Sequence, residues 1–453
     1  MSITEQIVPP GPPEKYDPAE DILEWLMKNL REYGGIYRAF MYGAYVYVVS
    51  DPRYVDHVLR ENWQNYRKGQ AIKRVGILLG NGLMVSEGEL WKTQRRLIQP
   101  AFHSEAIERF AGVIHKTSTE LLSRWIILAQ QERSINVTRE VSLWVLEVVL
   151  RAIFTQDFDM VAPAFSVLSS ESARNLQFAQ VFRPLRDVVR EVIGRRRQNV
   201  DTSMDILGML MAARDRVTGE RMPEGQLISE IVTLIVAGHE TTASTLSWVW
   251  YLLSEHSEVE SRLSAELSAR ADSPVPDVLD GNPYLRQVID ETMRLYPPGW
   301  LLTRRALKDD RMGEYVVPAG SEVYISPYLI QRNPALWEDP DIFNPDRFAP
   351  DQISGRHTLA NLPFSAGPRK CIGDMLARIE MQIHIMTVAP HLRLRWVSGN
   401  PEELEAGVNL RCRNDFHFVA HVKPPRGPER AATNRAECPF SSTGRSCTAP
   451  TVY

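Results

Sequence analysis

Cysteine is scarce in this chain, with only Cys371, Cys412, Cys438 and Cys447 among 453 residues. That excludes a disulfide-built scaffold and fits a reduced, cytoplasmic setting. Cys438 and Cys447 share a polar stretch and leave one late bridge open. Charge of one sign is also missing: 52 basic and 56 acidic side chains leave a net charge of −4, which gives no reason to expect nucleic acid or an anionic membrane surface. The first residues, MSITEQIVPPGPPEKYDP, hold no apolar core of a secretory signal. One long apolar segment, Ile228 to Tyr251, carries His239 and Glu240 at its centre. A charge there costs about 3 kcal/mol in a bilayer, so the segment reads as a buried helix, with no integral membrane anchor. No repeat of 20 to 50 residues is visible, which removes solenoids and propellers.

What is present is the composition of a large globular protein, 44% hydrophobic and 24% charged. PPGPP at 9–13 is a stiff lead-in, and Ile36 to Val49 is Tyr- and Val-rich and reads as β, ending at Ser50-Asp51-Pro52. Pro52 opens a helix through Leu59. Helical spacing follows over Glu105–Ile127 and Val141–Phe154, and the charged run Asp187–Arg197 reads as the end of a surface helix. A loop at 217–225 precedes the long helix from near Gln226, a second loop covers 271–283, and Tyr284–Leu295 is a helix stopped by Pro297-Pro298. Gly313 to Ile325 predicts a hairpin around Pro318-Ala319-Gly320. Residues 333–369 are irregular, Ile372–Val388 is helical, and Leu392–Val422 alternates as strands. The fold class is mainly α with a smaller β part, as one domain over 1–423 with a flexible polar tail at 424–453.

Two stretches carry chemistry. In FSAGPRKCIG, Phe364 to Gly373, Cys371 stands just before a helix whose free N–H groups and positive dipole end favour a thiolate. Arg369 and Lys370 add positive charge, and Gly367 and Gly373 admit a flat ligand. A soft thiolate so placed suits heme iron. In AGHETT, Ala237 to Thr242, glycine and threonine weaken an apolar helix. There Glu240 could relay protons and Thr241 hydrogen-bond a bound oxygen. Two pairs share a helix face by spacing: Glu291 with Arg294, and Trp91 with Arg95.

FSAGPRKCIG resembles the heme-binding signature of the cytochrome P-450 superfamily, and AGHETT resembles its oxygen-activation motif. The resemblance covers about residues 10–423. It implies a triangular helical domain with a small β-rich region and a long central distal helix. It makes Cys371 the axial ligand of heme b, with Phe364 near the sulfur and Ala237 and Gly238 over the cofactor. It implies propionate contacts from Trp91, Arg95, Arg369 and either Arg304 or its neighbour Arg305. Thr241 and Glu240 become the catalytic pair. Glu291, Arg294 and Arg347, the last in NPDRF, become a structural network holding the cysteine loop. The mobile roof implied over Ala71–Met84 and the access channel suggest Ile72, Leu78, Phe178, Val181 and Leu301 as pocket residues, with Trp300 and Leu302 beside Leu301 facing the heme edge.

The implied activity is a monooxygenase that hydroxylates or epoxidises an apolar small molecule such as a fatty acid, terpenoid or secondary metabolite. Electrons come from NAD(P)H only indirectly, through a ferredoxin or flavodoxin with its reductase, docking on Lys92, Arg96, Lys370 and Arg378. The alternatives are a heme-thiolate sensor, or a peroxide-using or isomerising enzyme on the same fold.

Overall fold

A computed structural model describes residues 7–169, 179–198, 204–269, 281–398 and 403–424. Helix α1 (Ile22–Tyr33) starts where the Asp21 carboxylate accepts from the Leu23 and Glu24 N–H groups. It feeds the antiparallel pair β1 (Ile36–Met41) and β2 (Ala44–Val49), aligned Ile36 to Val49. The Pro52 helix runs to Asp56 and then widens into a π-helical turn, His57–Glu61. Strand β3 (Tyr66–Lys68) leads into α2 (Gln70–Leu79).

The helical bulk follows: α3 (Gly88–Ile98), α4 (Ala111–Gln130), α5 (Val137–Phe154), α6 (Ala179–Gln198) and α7 (Glu224–Glu255). Helix α7 runs 32 residues without a break, so the AGHETT segment does not open the helix as its glycine and threonines suggested. It packs along α5 and touches α6, and it carries much of the main apolar core. The charged end of α6 is not wholly a surface: Arg196 is buried and bonds Asp157 and both oxygens of Asp205.

After α8 (Pro283–Leu295) come β4 (Leu302–Ala306), β5 (Asp310–Met312), β6 (Tyr315–Val317) and β7 (Glu322–Ile325). The expected hairpin around Pro318-Ala319-Gly320 is displaced. β6 pairs back on β5 across Gly313, and the later turn sends β7 into another sheet. That five-stranded sheet runs β1-β2-β7-β4-β3, with β2 and β7 parallel. Its register sets Lys68 of β3 directly opposite Arg304 of β4. Residues 333–369 hold only short helical turns, as expected, before α9 (Asp374–Val388), which packs on α4. Strands β8 (Leu392–Ser398) and β11 (His417–Val422) pair antiparallel, as do β9 (Leu404–Ala406) and β10 (Leu410–Cys412). The expected tail at 424–453 lies almost wholly outside the described residues. Among those described, no helix is long and apolar enough to cross a membrane.

Candidate active site

The cysteine loop is closed by its own backbone. The Cys371 N–H donates to the Phe364 carbonyl at 2.9 Å and the Lys370 N–H to the Gly367 carbonyl at 3.0 Å. Gly367 has φ +71°, and a Cβ there would lie 1.9 Å from the carbonyl oxygen of Leu59 in the π-helical turn. Only glycine fits that approach. Cys371 borders open space three residues before α9. Even so, protein crowds the sulfur, and desolvation pushes the thiol pKa up. The Gly373 N–H, Arg95 and Lys370 pull it down and Asp374 pushes it up. The helix end and nearby cations therefore do not win in the bare protein, contrary to the charge count along the sequence. Arg369 plays no part in that balance, because it turns to Glu87 and lies 4.5 Å over the Trp91 ring. The Phe364 ring sits 5.1 Å from the Arg378 guanidinium.

Beside the loop stands an excess of buried positive charge. Lys68 and Arg304, opposite each other on the sheet, are both buried. Like charges so placed repel unless an anion joins them. Burial, helped by the charge of Arg369, lowers Arg304 to about 10 and Lys68 to about 7. Nε and Nη1 of Arg369 are buried with no hydrogen-bond partner. Glu87 is the acid in contact, ion-paired to Arg369 and accepting the Lys68 N–H at 2.5 Å. A thiol facing open space, next to three largely buried cations with Glu87 as the acid in contact and Glu230 acting on Lys68 alone, fits heme, whose two propionates would supply the missing anions. Strand alternation separates the adjacent arginines, burying Arg304 beside Arg369 and leaving Arg305 half-buried near Glu322. Trp91 and Arg95 both reach this loop, the first through Arg369 and the second by Nη1 to the Lys370 carbonyl at 2.9 Å.

Glu291 and Arg294 are wholly buried and joined by two bonds, Nε to Oε2 at 2.6 Å and Nη2 to Oε1 at 2.8 Å. Arg294 also donates to the carbonyls of Gln331, Pro340 and Ile342. Glu291 accepts the Asn344 N–H at 2.9 Å and lies 3.5 Å from Arg347. Gln331, which the sequence did not flag, continues the network. Its amide donates to the carbonyls of Met293 and Arg294, and its oxygen accepts the Leu362 N–H just ahead of the cysteine loop.

Along α7, Ala237 is exposed in the middle of a helix buried on both sides of it, so it faces internal open space. Thr241 is one turn on, and its hydroxyl donates back to the Ala237 carbonyl at 2.8 Å. Gly238 does not share that face, since its Cα looks onto Val149 of α5. His239 is buried against Ser142. Glu240 is tied to the β9–β10 hairpin, accepting from Arg411 Nη1 and from Asn409 Nδ2, each at 3.0 Å. Behind the helix, Glu380 of α9 is buried, with one oxygen orphaned. Desolvation raises it to about 8 despite a hydrogen bond with Thr242.

The main cavity, about 950 Å³, lies against the adjoining face of α7 and does not include Cys371. Its apolar walls include Leu78, Leu79, Phe182, Val236 and Trp248. Of the expected pocket residues, Leu78 lines it, whereas Ile72 and Leu301 are partly buried away from it. Phe178 and the Val181 side chain lie outside the described residues. Trp300 and Leu302 pack into the β-rich cores, and the Trp300 indole donates to the Gly407 carbonyl at 2.9 Å. The four cations of the expected docking face are each paired within the chain: Lys92 with Glu89, Arg96 with Asp215, Lys370 with Asp374 and Arg378 with Asp290.

Comparison with known proteins gives the family and the fold. The family model described as Cytochrome P-450 matches residues 14–185 and 160–407. Cyclooctat-9-en-7-ol 5-monooxygenase of Streptomyces melanosporofaciens is 32% identical, over 82% of this chain and 85% of its own. Pentalenene oxygenase of Streptomyces avermitilis is 30% identical, over 81% and 86%. In fold, a cytochrome P-450 crystal structure superposes with a TM-score of 0.81 at 23% identity, covering 93% of this chain and 100% of that one. The chain is a heme-thiolate monooxygenase with heme b as its cofactor, and it belongs to the cytochrome P-450 family.

Proposed function

We propose that Cys371 ligates the heme iron and that Arg369, Arg304, Arg95 and Trp91 hold its propionates, with Lys68 completing the cationic wall. The observation that carries this reading is the buried charge excess beside an accessible thiol: Lys68 opposite Arg304, and Arg369 with two unpartnered nitrogens. Bound heme supplies dioxygen activation that places one oxygen atom in a C–H or C=C bond and reduces the other to water, using electrons relayed from NAD(P)H. The chain's own part is to desolvate the thiolate, neutralise the propionates and present a hydroxyl and a carboxylate from α7. Thr241 presents its hydroxyl, which donates to the Ala237 carbonyl, on the face shared with Ala237, and Glu240 places a carboxylate one residue earlier that can take up and pass on a proton. Glu291, Arg294 and Arg347 keep the cysteine loop in shape.

The substrate is an apolar small molecule. The cavity walls support this, and so do relatives named for cyclooctat-9-en-7-ol and pentalenene. The electron donor is a separate ferredoxin or flavodoxin with its reductase, and docking on the face around Lys92, Arg96, Lys370 and Arg378 would exchange intramolecular ion pairs for partner contacts. The setting is cytoplasmic, and residues 1–423 act as one domain. The test is the difference spectrum of reduced protein with carbon monoxide, for wild type and Cys371→Ser. A long-wavelength Soret band that the serine variant loses supports the reading. A histidine-like band in folded wild type overturns it.

A further inference from the structure

The apolar cavity has a strongly polar corner where the β9–β10 hairpin meets α7. Arg411 lines it, donating Nε to Glu405 at 2.9 Å and Nη1 to Glu240 at 3.0 Å. Its Nη2 has no partner among the described residues. The guanidinium is firmly charged: burial alone would lower its pKa, but the bond to Glu405 and the charge of Glu240 raise it on balance. Both Glu240 oxygens are taken, the second by Asn409. The hairpin is fastened at its base by Ser244 donating to the Leu410 carbonyl and by the Leu410 N–H on the Pro298 carbonyl. At its tip, Val408 lines the cavity and is 69% exposed, so the corner opens on ligand space.

The charge balance says what this corner can accept. The charged cavity walls are Arg139 and Arg411 against Glu240, Glu405 and Asp415, and Arg411 already sits between two of those acids. A ligand carboxylate brought to Arg411 would meet Glu240 and Glu405 at close range and be repelled. A plain hydrocarbon would bury polar groups and return nothing. A neutral hydroxyl can do both things required: accept from Arg411 Nη2 and donate to a carboxylate of Glu240 or Glu405.

We infer that Arg411, with Glu240 and Glu405, is the specificity clamp of the cavity, built to take the hydroxyl of a neutral, otherwise apolar alcohol and to reject the corresponding carboxylic acid. This rests on the monooxygenase reading of the same cavity and narrows its substrate class, setting aside fatty acids. It also gives Glu240 two engagements, the hairpin and the distal site.

The test is calorimetric titration of the heme-loaded protein at pH 7.5 with farnesol, farnesene and farnesoic acid, three probes sharing one skeleton. A hydrogen bond to a charged group predicts farnesol at least about tenfold tighter than farnesene, with farnesoic acid weaker than farnesol. In Arg411→Met the farnesol-to-farnesene ratio falls towards one. Glu405→Gln, which removes one negative charge and keeps the shape, strengthens farnesoic acid binding relative to wild type. Equal affinities for farnesol and farnesene in wild type, or farnesoic acid as the tightest ligand, overturn the inference without any variant. The carbon monoxide spectrum of the same sample keeps the two readings apart. Equal affinities with the thiolate band in place sink the alcohol clamp alone, whereas a missing band sinks the heme reading while the calorimetric ratio still decides the clamp.

Discussion

Replacing Glu380 with glutamine should stabilise this protein, and only at neutral to alkaline pH. Glu380 is 1% exposed, and burial raises it from an ordinary 4.5 to about 8 against the hydrogen bond from Thr242. The folded state thus holds its proton more tightly than the unfolded state. Stability from this group is full below pH 4.5 and is lost as pH rises towards 8. At about 1.4 kcal/mol per pH unit the full span is roughly 5 kcal/mol, and relaxation around a charged carboxylate should leave about 2–3 kcal/mol. Glutamine has no proton to lose, so its advantage should appear across that window. For a chain of this length such a gain moves the melting temperature by about 2–3 °C. The assay is thermal unfolding of both proteins at pH 5.0 and pH 8.5, followed by circular dichroism. Wild type and variant should melt close together at pH 5.0, with the variant higher at pH 8.5. An equal difference at both pH values, or a wild type that gains on the variant as pH rises, would refute the argument.

Glu291→Ala leaves the wholly buried Arg294 without its carboxylate, a loss of about 3–5 kcal/mol. Little protein with bound heme should be recovered, as judged by the ratio of Soret to 280 nm absorbance. Gly367→Ala forces a methyl group onto the Leu59 carbonyl at φ +71°, so heme retention should fall sharply. Thr241→Ala should keep the thiolate band and reductant consumption but lower product formed per reductant. An unchanged ratio removes Thr241 from oxygen activation. Arg369→Gln, which removes the positive charge beside Glu87 and Trp91, should weaken heme retention more than Arg305→Gln on the opposite face of the sheet edge.

The parts legible in the sequence are those whose chemistry is local. The cysteine loop, the Glu291–Arg294 spacing and the Ala237–Thr242 segment each lie within about ten residues, so helix and turn geometry alone relates their side chains. What stayed hidden depends on register between distant segments. Lys68 meets Arg304 only because β3 pairs β4, and Glu240 meets Arg411 only because the hairpin folds back over α7. Pro318-Ala319-Gly320 and Gly313 are both competent turns, and sheet pairing decides which one makes a hairpin. Gly238 and Ala237 look equivalent in a motif but stand a third of a turn apart, which sends one to Val149 and the other to open space.

The carbonyls of Gln331, Pro340 and Ile342 all converge on one guanidinium, and the Asn344 N–H on its carboxylate. A segment with almost no regular secondary structure is thereby cross-linked without a covalent bond. Its ordering entropy is settled when the chain folds, before any cofactor arrives. Heme would then meet a cysteine loop already in shape, and capture becomes a docking event whose rate depends on opening the cavity rather than on folding the ligand loop. The same convergence makes its centre cooperative: the amides of residues 341–344 should exchange with solvent together, since the chain there is held by Arg294 and Glu291 at both ends.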